Sequence, residues 1–402
     1  MFKIRFKHIG YLTSVAIVLT VFSVPSSYGA IKAGTSCKKA GLQTTDGGRK
    51  YTCVKQGKKF VWNKGVVVKA VPVANPSPSA TPAPSPSVTP SPSPSAIPTP
   101  TFTPPPRPMD WTELVSKSGG ITYWAWKLAQ ERKASPGAVT TKFFIHTGPN
   151  TVLNVQDPEA ILRMVAGFFS TTPQVKEAHA TFYDFEDVAW AQEIDRKYSS
   201  QPRPNEVSNS CRSKSQCDGG NAYVDSKLVG FAYMSSSQTK RFGDLNPKGT
   251  VLAHEYFHTI QMLPMEEANS RGANPVWMPD WIREGSAQWF STAFAFENFD
   301  QLINYQKRDG ENDLYQKKVS PEYVGAVLSI NGGASENGWL AYNVGSKVME
   351  ALVVLKGVDS ILEFYNLGAK GQSFESAFQS IYGISWAEAK PILSQAISNH
   401  YQ

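Results

Sequence analysis

The stretch from 249 to 263 alternates apolar and polar positions at the spacing of an α-helix. Placed at 100° per residue, its large apolar residues fall on one side of the helix: Leu252, Tyr256, Ile260 and Leu263. His254 and His258 fall on the opposite side, one turn apart, so both imidazoles can reach the same ion. The pattern therefore predicts a helix whose apolar side packs on a core and whose polar side lines a cleft.

Both ends of this helix are marked by typical capping residues. Asn246 suits an N-cap and Pro247 a first helical turn, while Pro264 suits a C-terminal stop. We therefore expect the helix to lie between these two prolines.

Strand patterns come before this helix, and helical patterns dominate after it. The segments predicted as strands are 141–146, 180–185, 221–225 and 230–234, the last two as a hairpin. Helices are predicted from Asp157 through Phe168 and over 188–198, with a loop over 199–220. Strands first and helices after are typical of an α+β domain, and we assign 109–402 to it.

The first 30 residues have the layout of a secretory signal peptide. Cationic residues precede an apolar run from 9 to 22, and small residues follow up to Ala30. The alternative is a membrane anchor, but the run is short for a span. We expect a secreted or cell-wall-associated protein, with no membrane contact after cleavage.

Residues 31–70 form a small, strongly basic module. Ten Lys or Arg against one acid give +9, whereas the whole chain of 402 residues has +7. Such charge suits retention on an anionic cell-wall polymer, and a solubilising surface is the equal alternative. We expect no nucleic-acid partner, because the module has no recognisable nucleic-acid motif.

Residues 71–108 are predicted to be a spacer. They hold fifteen of the 28 prolines, mostly alternating with Ser or Thr, so they cannot form a packed core. As polyproline II at ~3.1 Å per residue, the spacer is at most ~120 Å long.

Four cysteines fit two disulfides formed between sequence neighbours in an exported protein. Cys37 and Cys53 would staple a β-hairpin in the basic module, and Cys211 and Cys217 would pin the loop before the hairpin at 221–234. Metal ligation is the alternative, but spacings of sixteen and six do not match zinc-ribbon pairs.

The candidate chemistry is that of a zinc site. In His254-Glu255-x-x-His258 the histidines are candidate ligands, and the glutamate can accept a proton from metal-activated water. Zinc needs a third protein ligand, and Glu284, in a second predicted helix capped by Asp280, is the best candidate. The alternative for Glu284 is an ordinary acid near a helix N-terminus.

These motifs resemble the gluzincin, or peptidase MA-like, zinc metallopeptidases. The likeness is carried by His-Glu-x-x-His, by Trp281-Ile-x-Glu-Gly-x-Ala287, and by later segments around 341–357 and 374–383. It implies a zincin-like fold, with zinc held by two histidines and Glu284 and with Glu255 as general base. It also suggests that Tyr342 hydrogen-bonds to the developing oxyanion; packing in a helix is the alternative for this tyrosine.

Two departures from the family pattern matter. Arg283 and Gln288 stand where thermolysin-like enzymes have asparagine and aspartate, so the partner that orients a ligand histidine is unassigned. Gln261 could fix a ligand, touch substrate or simply line the cleft. The segment 230–236 lacks the glutamate with which related aminopeptidases hold an amine, which favours cleavage within a chain, and it is a candidate edge strand for an extended peptide.

The sequence thus predicts an exported zinc-dependent endopeptidase acting on a peptide or protein. One alternative is a cell-surface binding protein with an inactive peptidase-like domain. Another is a zinc hydrolase of cell-wall peptides. The remaining histidines, His146, His179 and His400, are interpreted as structural.

Overall fold

A computed structural model describes residues 34–36, 43–46, 49–57, 59–64, 66–67, 103–153, 155–217, 219–235, 248–329 and 338–402. The predicted signal peptide, Cys37, most of the predicted spacer, Asn246 and Pro247 lie outside these ranges. The chain divides into two compact units, 1–97 and 98–402.

The first unit contains a small antiparallel sheet. Its strands are β1 (Gln43–Asp46), β2 (Arg49–Gln56), β3 (Lys59–Trp62) and β4 (Val66–Val67), and β2 pairs with the other three. Cys53, on β2, is buried and disulfide-bonded. The module is therefore built around the strand that carries this cysteine, as expected of a short chain with little apolar area to bury.

The second unit contains a four-stranded mixed sheet. Its strands are β5 (Lys142–Thr147), β6 (Glu177–Tyr183), β9 (Gly219–Val224) and β10 (Gly230–Ser235), in the spatial order β5-β6-β10-β9. β6 runs parallel to β5 and β10, whereas β9 and β10 form the predicted antiparallel hairpin. Before β9, the short strands β7 (Cys211–Ser213) and β8 (Gln216–Cys217) are joined by the predicted Cys211–Cys217 disulfide.

Helices surround the sheet and form the rest of the unit. They are α1 (Ile121–Lys133), α2 (Pro158–Phe168), α3 (Val188–Tyr198), α4 (Pro204–Asn209), α5 (Thr250–Ser270), α6 (Asp280–Ala295), α7 (Phe299–Tyr305), α8 (Asn312–Lys317), α9 (Pro321–Val327), α10 (Gly338–Lys356), α11 (Ser360–Ala369), α12 (Phe374–Tyr382) and α13 (Trp386–His400). The predicted mixed α+β class is confirmed. Helices α1 to α4 alternate with the strands, and only helices are found among the described residues from Thr250 onward. No described helix is long and apolar enough to cross a bilayer.

The start of the second unit includes the last residues of the predicted spacer. The indole of Trp124 donates a hydrogen bond to the carbonyl of Pro105 at 2.7 Å, and Arg107 donates to the carbonyl of Val354 at 3.0 Å. Residues 105–108 therefore pack on α1 and α10.

Helix α5 differs from its prediction at both ends. It begins at Thr250 after Gly249, whose φ of 71° is left-handed and where a Cβ would overlap Ile161, so this position requires glycine. Pro264 does not end the helix, which continues to Ser270. A proline inside a helix removes one backbone hydrogen bond, and the buried neighbours Leu263 and Met265 hold the segment against the core.

The expected role of 230–236 as an edge strand is wrong. β10 is paired on both sides, with β6 and with β9, so its backbone groups are used within the sheet. Among the described residues the edge strand beside α5 is β9, which contacts that helix.

A buried ionic cluster links the C-terminal helices. Lys347 on α10 lies 3.0 Å from Glu350 Oε1 and 3.4 Å from Glu311 Oε2, and all three side chains are buried. Tyr401 donates to Glu311 at 3.0 Å, and Thr122 donates to Glu350 at 2.5 Å. Burial, opposed by the charge of Lys347, raises the pKa of Glu311 to about 7. Lys347 therefore compensates two buried carboxyl groups.

We predict that Lys347→Met destabilises the protein by about 3–5 kcal/mol, because it leaves buried carboxylates uncompensated. Urea denaturation measures the change. Lys356→Met, on the same helix but exposed, is the matched control and should stay within about 0.5 kcal/mol of the native protein. Equal effects of the two substitutions would contradict a compensating role for Lys347.

Candidate metal centre

The three predicted ligands meet between two helices. His254 and His258 come from α5, and Glu284 comes from the second turn of α6. Each histidine places its Nε2 atom 3.3 Å from Glu284 Oε2. The ligand atoms all lie within 4.8 Å of one another, and the three side chains are buried. In the described part of the chain no other cluster of His, Cys, Asp or Glu has this geometry.

The donor set and its spacing fit a tetrahedral metal ion. Bonds of 2.0–2.2 Å to nitrogen and oxygen place neighbouring ligand atoms about 3.3–3.6 Å apart in a tetrahedron. The two separations of 3.3 Å between histidine nitrogen and carboxylate oxygen match this value. Two imidazoles and one carboxylate suit zinc and other first-row ions, so the donor set is compatible with several metals.

The second oxygen of Glu284 is held by Arg283. Nη2 of Arg283 lies 3.0 Å from Glu284 Oε1 and 3.0 Å from Asp280 Oδ1. Burial opposes ionisation of Glu284, but the charges and hydrogen bonds of His258 and His254, with the charge of Arg283, hold its pKa well below the usual value. Glu284 is therefore a carboxylate with Oε1 on the arginine and Oε2 on the histidines.

Glu255 lies under strand β9. A Cβ built on Gly220 would stand 2.5 Å from Glu255 Oε1 and 2.6 Å from its Cδ, so only glycine allows this approach. Burial is the main cause that raises the pKa of Glu255 to about 7; Glu284 adds to it, while His254 and Arg283 oppose it. Among the described residues none donates a hydrogen bond to this carboxyl group. The sequence analysis missed Gly220, whose only signal is the Gly219-Gly220 pair at a strand start.

Tyr342 packs against His254. It comes from α10, and its ring stacks on His254 with centroids 5.8 Å apart and planes 16° from parallel. Burial and the nearby Glu284 carboxylate raise the pKa of Tyr342, so the phenol keeps its proton. The structure thus brings together all five residues singled out from the sequence.

A glycine contact sets the distance between α6 and α10. A Cβ on Gly285 would stand 2.6 Å from the Cα of Gly345, and a Cβ on Gly345 would overlap the carbonyl oxygen of Trp281. Gly285 follows Glu284, and Gly345 lies one turn after Tyr342. The close crossing therefore brings a ligand and the tyrosine to the same place.

The partner of His258 is Gln261, one turn further along α5. Its Oε1 lies 2.6 Å from Nδ1 of His258, and both side chains are buried. Of the alternatives for Gln261, the structure shows the contact with a candidate ligand. Gln288 is half-buried and makes no such hydrogen bond to the described histidines.

The other described histidines lie away from this centre. His146 Nε2 is 2.9 Å from His179 Nδ1 on neighbouring strands, and His400 Nε2 is 2.7 Å from the hydroxyl of Tyr315. Each is engaged in packing and hydrogen bonding, in agreement with a structural interpretation.

Comparison with protein-family models, with curated protein sequences and with solved structures found no match for this chain. The assignment of chemistry therefore depends on the residues of the site and their geometry.

We predict that Gly345→Ala destabilises the protein by at least about 1–3 kcal/mol, because the added methyl group must push α6 and α10 apart. Differential scanning calorimetry measures the effect. Gly325→Ala is the control, since a Cβ there meets its nearest atom, Ser394 Oγ, at 3.4 Å, and alanine favours a helix by up to about 1 kcal/mol. Similar stabilities for the two variants would argue against a tight crossing.

We also predict that the protein binds one divalent ion per chain and that His258→Ala removes it. Loss of one of three ligands in a buried site lowers affinity by orders of magnitude. Equilibrium dialysis followed by elemental analysis gives the stoichiometry and the metal. His146→Ala should leave both unchanged; if it lowers them as much as His258→Ala does, the ion lies elsewhere.

Proposed function

We propose that this protein is an exported zinc-dependent peptidase that cleaves within peptide chains. The observation that carries the proposal is the buried cluster of three ligand atoms with the Glu255 carboxyl group beside it. Burial raises the pKa of this carboxyl group, and a perturbed acid beside a cluster of candidate metal ligands is typical of a catalytic base. This supports a hydrolase of the gluzincin type.

Each residue of the site has a role in this proposal. His254, His258 and Glu284 hold the ion, and zinc bound there supplies a Lewis acid that polarises the scissile carbonyl and acidifies water. Glu255 accepts a proton from the attacking water and passes it to the leaving amine. Tyr342 keeps its proton and donates a hydrogen bond to the oxygen of the substrate that becomes negatively charged.

The neighbouring edge strand suits an extended peptide. β9 is paired on one side only among the described residues, and its Gly220 touches Glu255. A substrate added along this edge would lie next to the general base, held by main-chain hydrogen bonds. This favours a peptide or protein substrate read along its backbone.

The proposed location is outside the cell, on the evidence of the first 30 residues and the paired cysteines. Residues 31–70 are proposed to hold the protein on an anionic cell-wall polymer through their charge of +9 (ten cationic residues minus one acid).

We predict that the mature protein hydrolyses unfolded casein, and that Glu255→Gln lowers the rate by about 10²–10⁴-fold because the general base is lost. Release of peptides is followed by mass spectrometry. A chelated sample should be equally inactive and regain activity with added zinc. Metal content of Glu255→Gln is measured alongside, so that loss of the base is separated from loss of the ion.

Equal hydrolysis by the native, Glu255→Gln and chelated samples would rule out the proposed mechanism. If all three are inactive on casein, cell-wall peptides are the next substrate, because the basic module favours that surface. Inactivity on both would favour a binding protein with an inactive peptidase-like domain.

A further inference from the structure

We propose that Gln261 is the positioning residue of the metal centre: it fixes which nitrogen of His258 carries hydrogen and so leaves the other nitrogen for the ion. The inference depends on the metal site of the proposed function, but not on peptidase activity. It assigns the orienting partner of a ligand histidine, which the sequence left open because Gln288 stands where thermolysin-like enzymes have aspartate.

The orientation of the Gln261 amide is settled by its neighbours on α6. Its Nε2 lies 3.1 Å from the carbonyl oxygen of Arg283 and 2.7 Å from Ser286 Oγ. A carbonyl oxygen can only accept, and Ser286 donates its own hydrogen to the carbonyl of Ile282 at 2.6 Å. The amide group facing α6 must therefore be the NH₂, which leaves Oε1 facing His258.

That orientation determines which ring nitrogen of His258 carries a hydrogen. Oε1 of Gln261 can only accept, so the Nδ1 atom 2.6 Å away must donate a hydrogen. Whatever the charge of the ring, Nε2 is then the nitrogen available to the ion, and it lies 3.3 Å from Glu284 Oε2. Gln261 is fully buried, so water does not compete for these hydrogen bonds.

The same hydrogen bonds connect the two helices that supply the ligands. The carbonyl of Arg283, next to Glu284, fixes the orientation of the Gln261 amide. The amide oxygen in turn fixes the hydrogen on Nδ1 of His258. Outer-shell partners of this kind orient the ligand ring and raise its basicity. The third ligand and the second histidine are therefore positioned by one set of contacts.

The test compares metal affinity in three variants by competition with a chromogenic chelator. Gln261→Leu should bind zinc about 10–100-fold more weakly than the native protein. Gln261→Glu keeps an acceptor for Nδ1 and should recover most of the affinity. Gln288→Leu, which removes an amide of the same type from α6, should bind as the native protein does. Circular dichroism confirms that each variant is folded.

A second measurement reports directly on the hydrogen bond. In zinc-loaded protein labelled with ¹⁵N-histidine, NMR should show a slowly exchanging Nδ1–H signal of His258, assigned through His258→Asn. This signal should be absent from Gln261→Leu and present in Gln261→Glu and Gln288→Leu.

Three results would overturn the inference: native affinity in Gln261→Leu, an equal loss in Gln288→Leu, or failure of Gln261→Glu to recover affinity. An unchanged Nδ1–H signal in Gln261→Leu would do the same. Native protein that binds zinc with this signal but cleaves no substrate would contradict the proposed function and leave the role of Gln261 standing.

Discussion

The geometry of the site depends on how closely α6 and α10 approach each other. Gly285 and Gly345 meet backbone to backbone, without room for a methyl group on either. Since helix axes normally lie 8–10 Å apart according to the side chains between them, two glycines at the crossing allow an unusually near approach. Glu284 and Tyr342 are carried by these helices within one turn of the contact, so their separation follows from it.

This close packing leaves charged and polar groups with little exposure to water. A buried carboxylate is stable only when partners replace its hydration, and Glu284 has them on both oxygens, from Arg283 on one and the two histidines on the other. Gln261 does the same for the remaining nitrogen of His258. These contacts hold the candidate donor atoms in place, which would lower the reorganisation needed to bind an ion.

Local sequence pattern was enough to identify the candidate ligands but not the contacts that orient them. Histidines one turn apart, and a glutamate in a second capped helix, follow from helical periodicity, and so does the order of strands and helices. Gly220 and Gly345 are recognised only when distant segments are brought together. The ends of α5 were mispredicted for a similar reason: Gly249 fits against Ile161, and burial holds the helix beyond Pro264, and both are tertiary effects.

Glu255 is the residue on which the choice between an enzyme and a binding protein depends. A domain that needed only a stable core would gain from replacing this buried acid, because its ionisation is opposed by desolvation and no described side chain donates to it. The chain instead has glycine at 220, which lets β9 lie directly over the carboxyl group. Both features lower stability. The proposed role of Glu255 as a general base beside the candidate metal ligands would explain why they are present, whereas a binding surface would not require them.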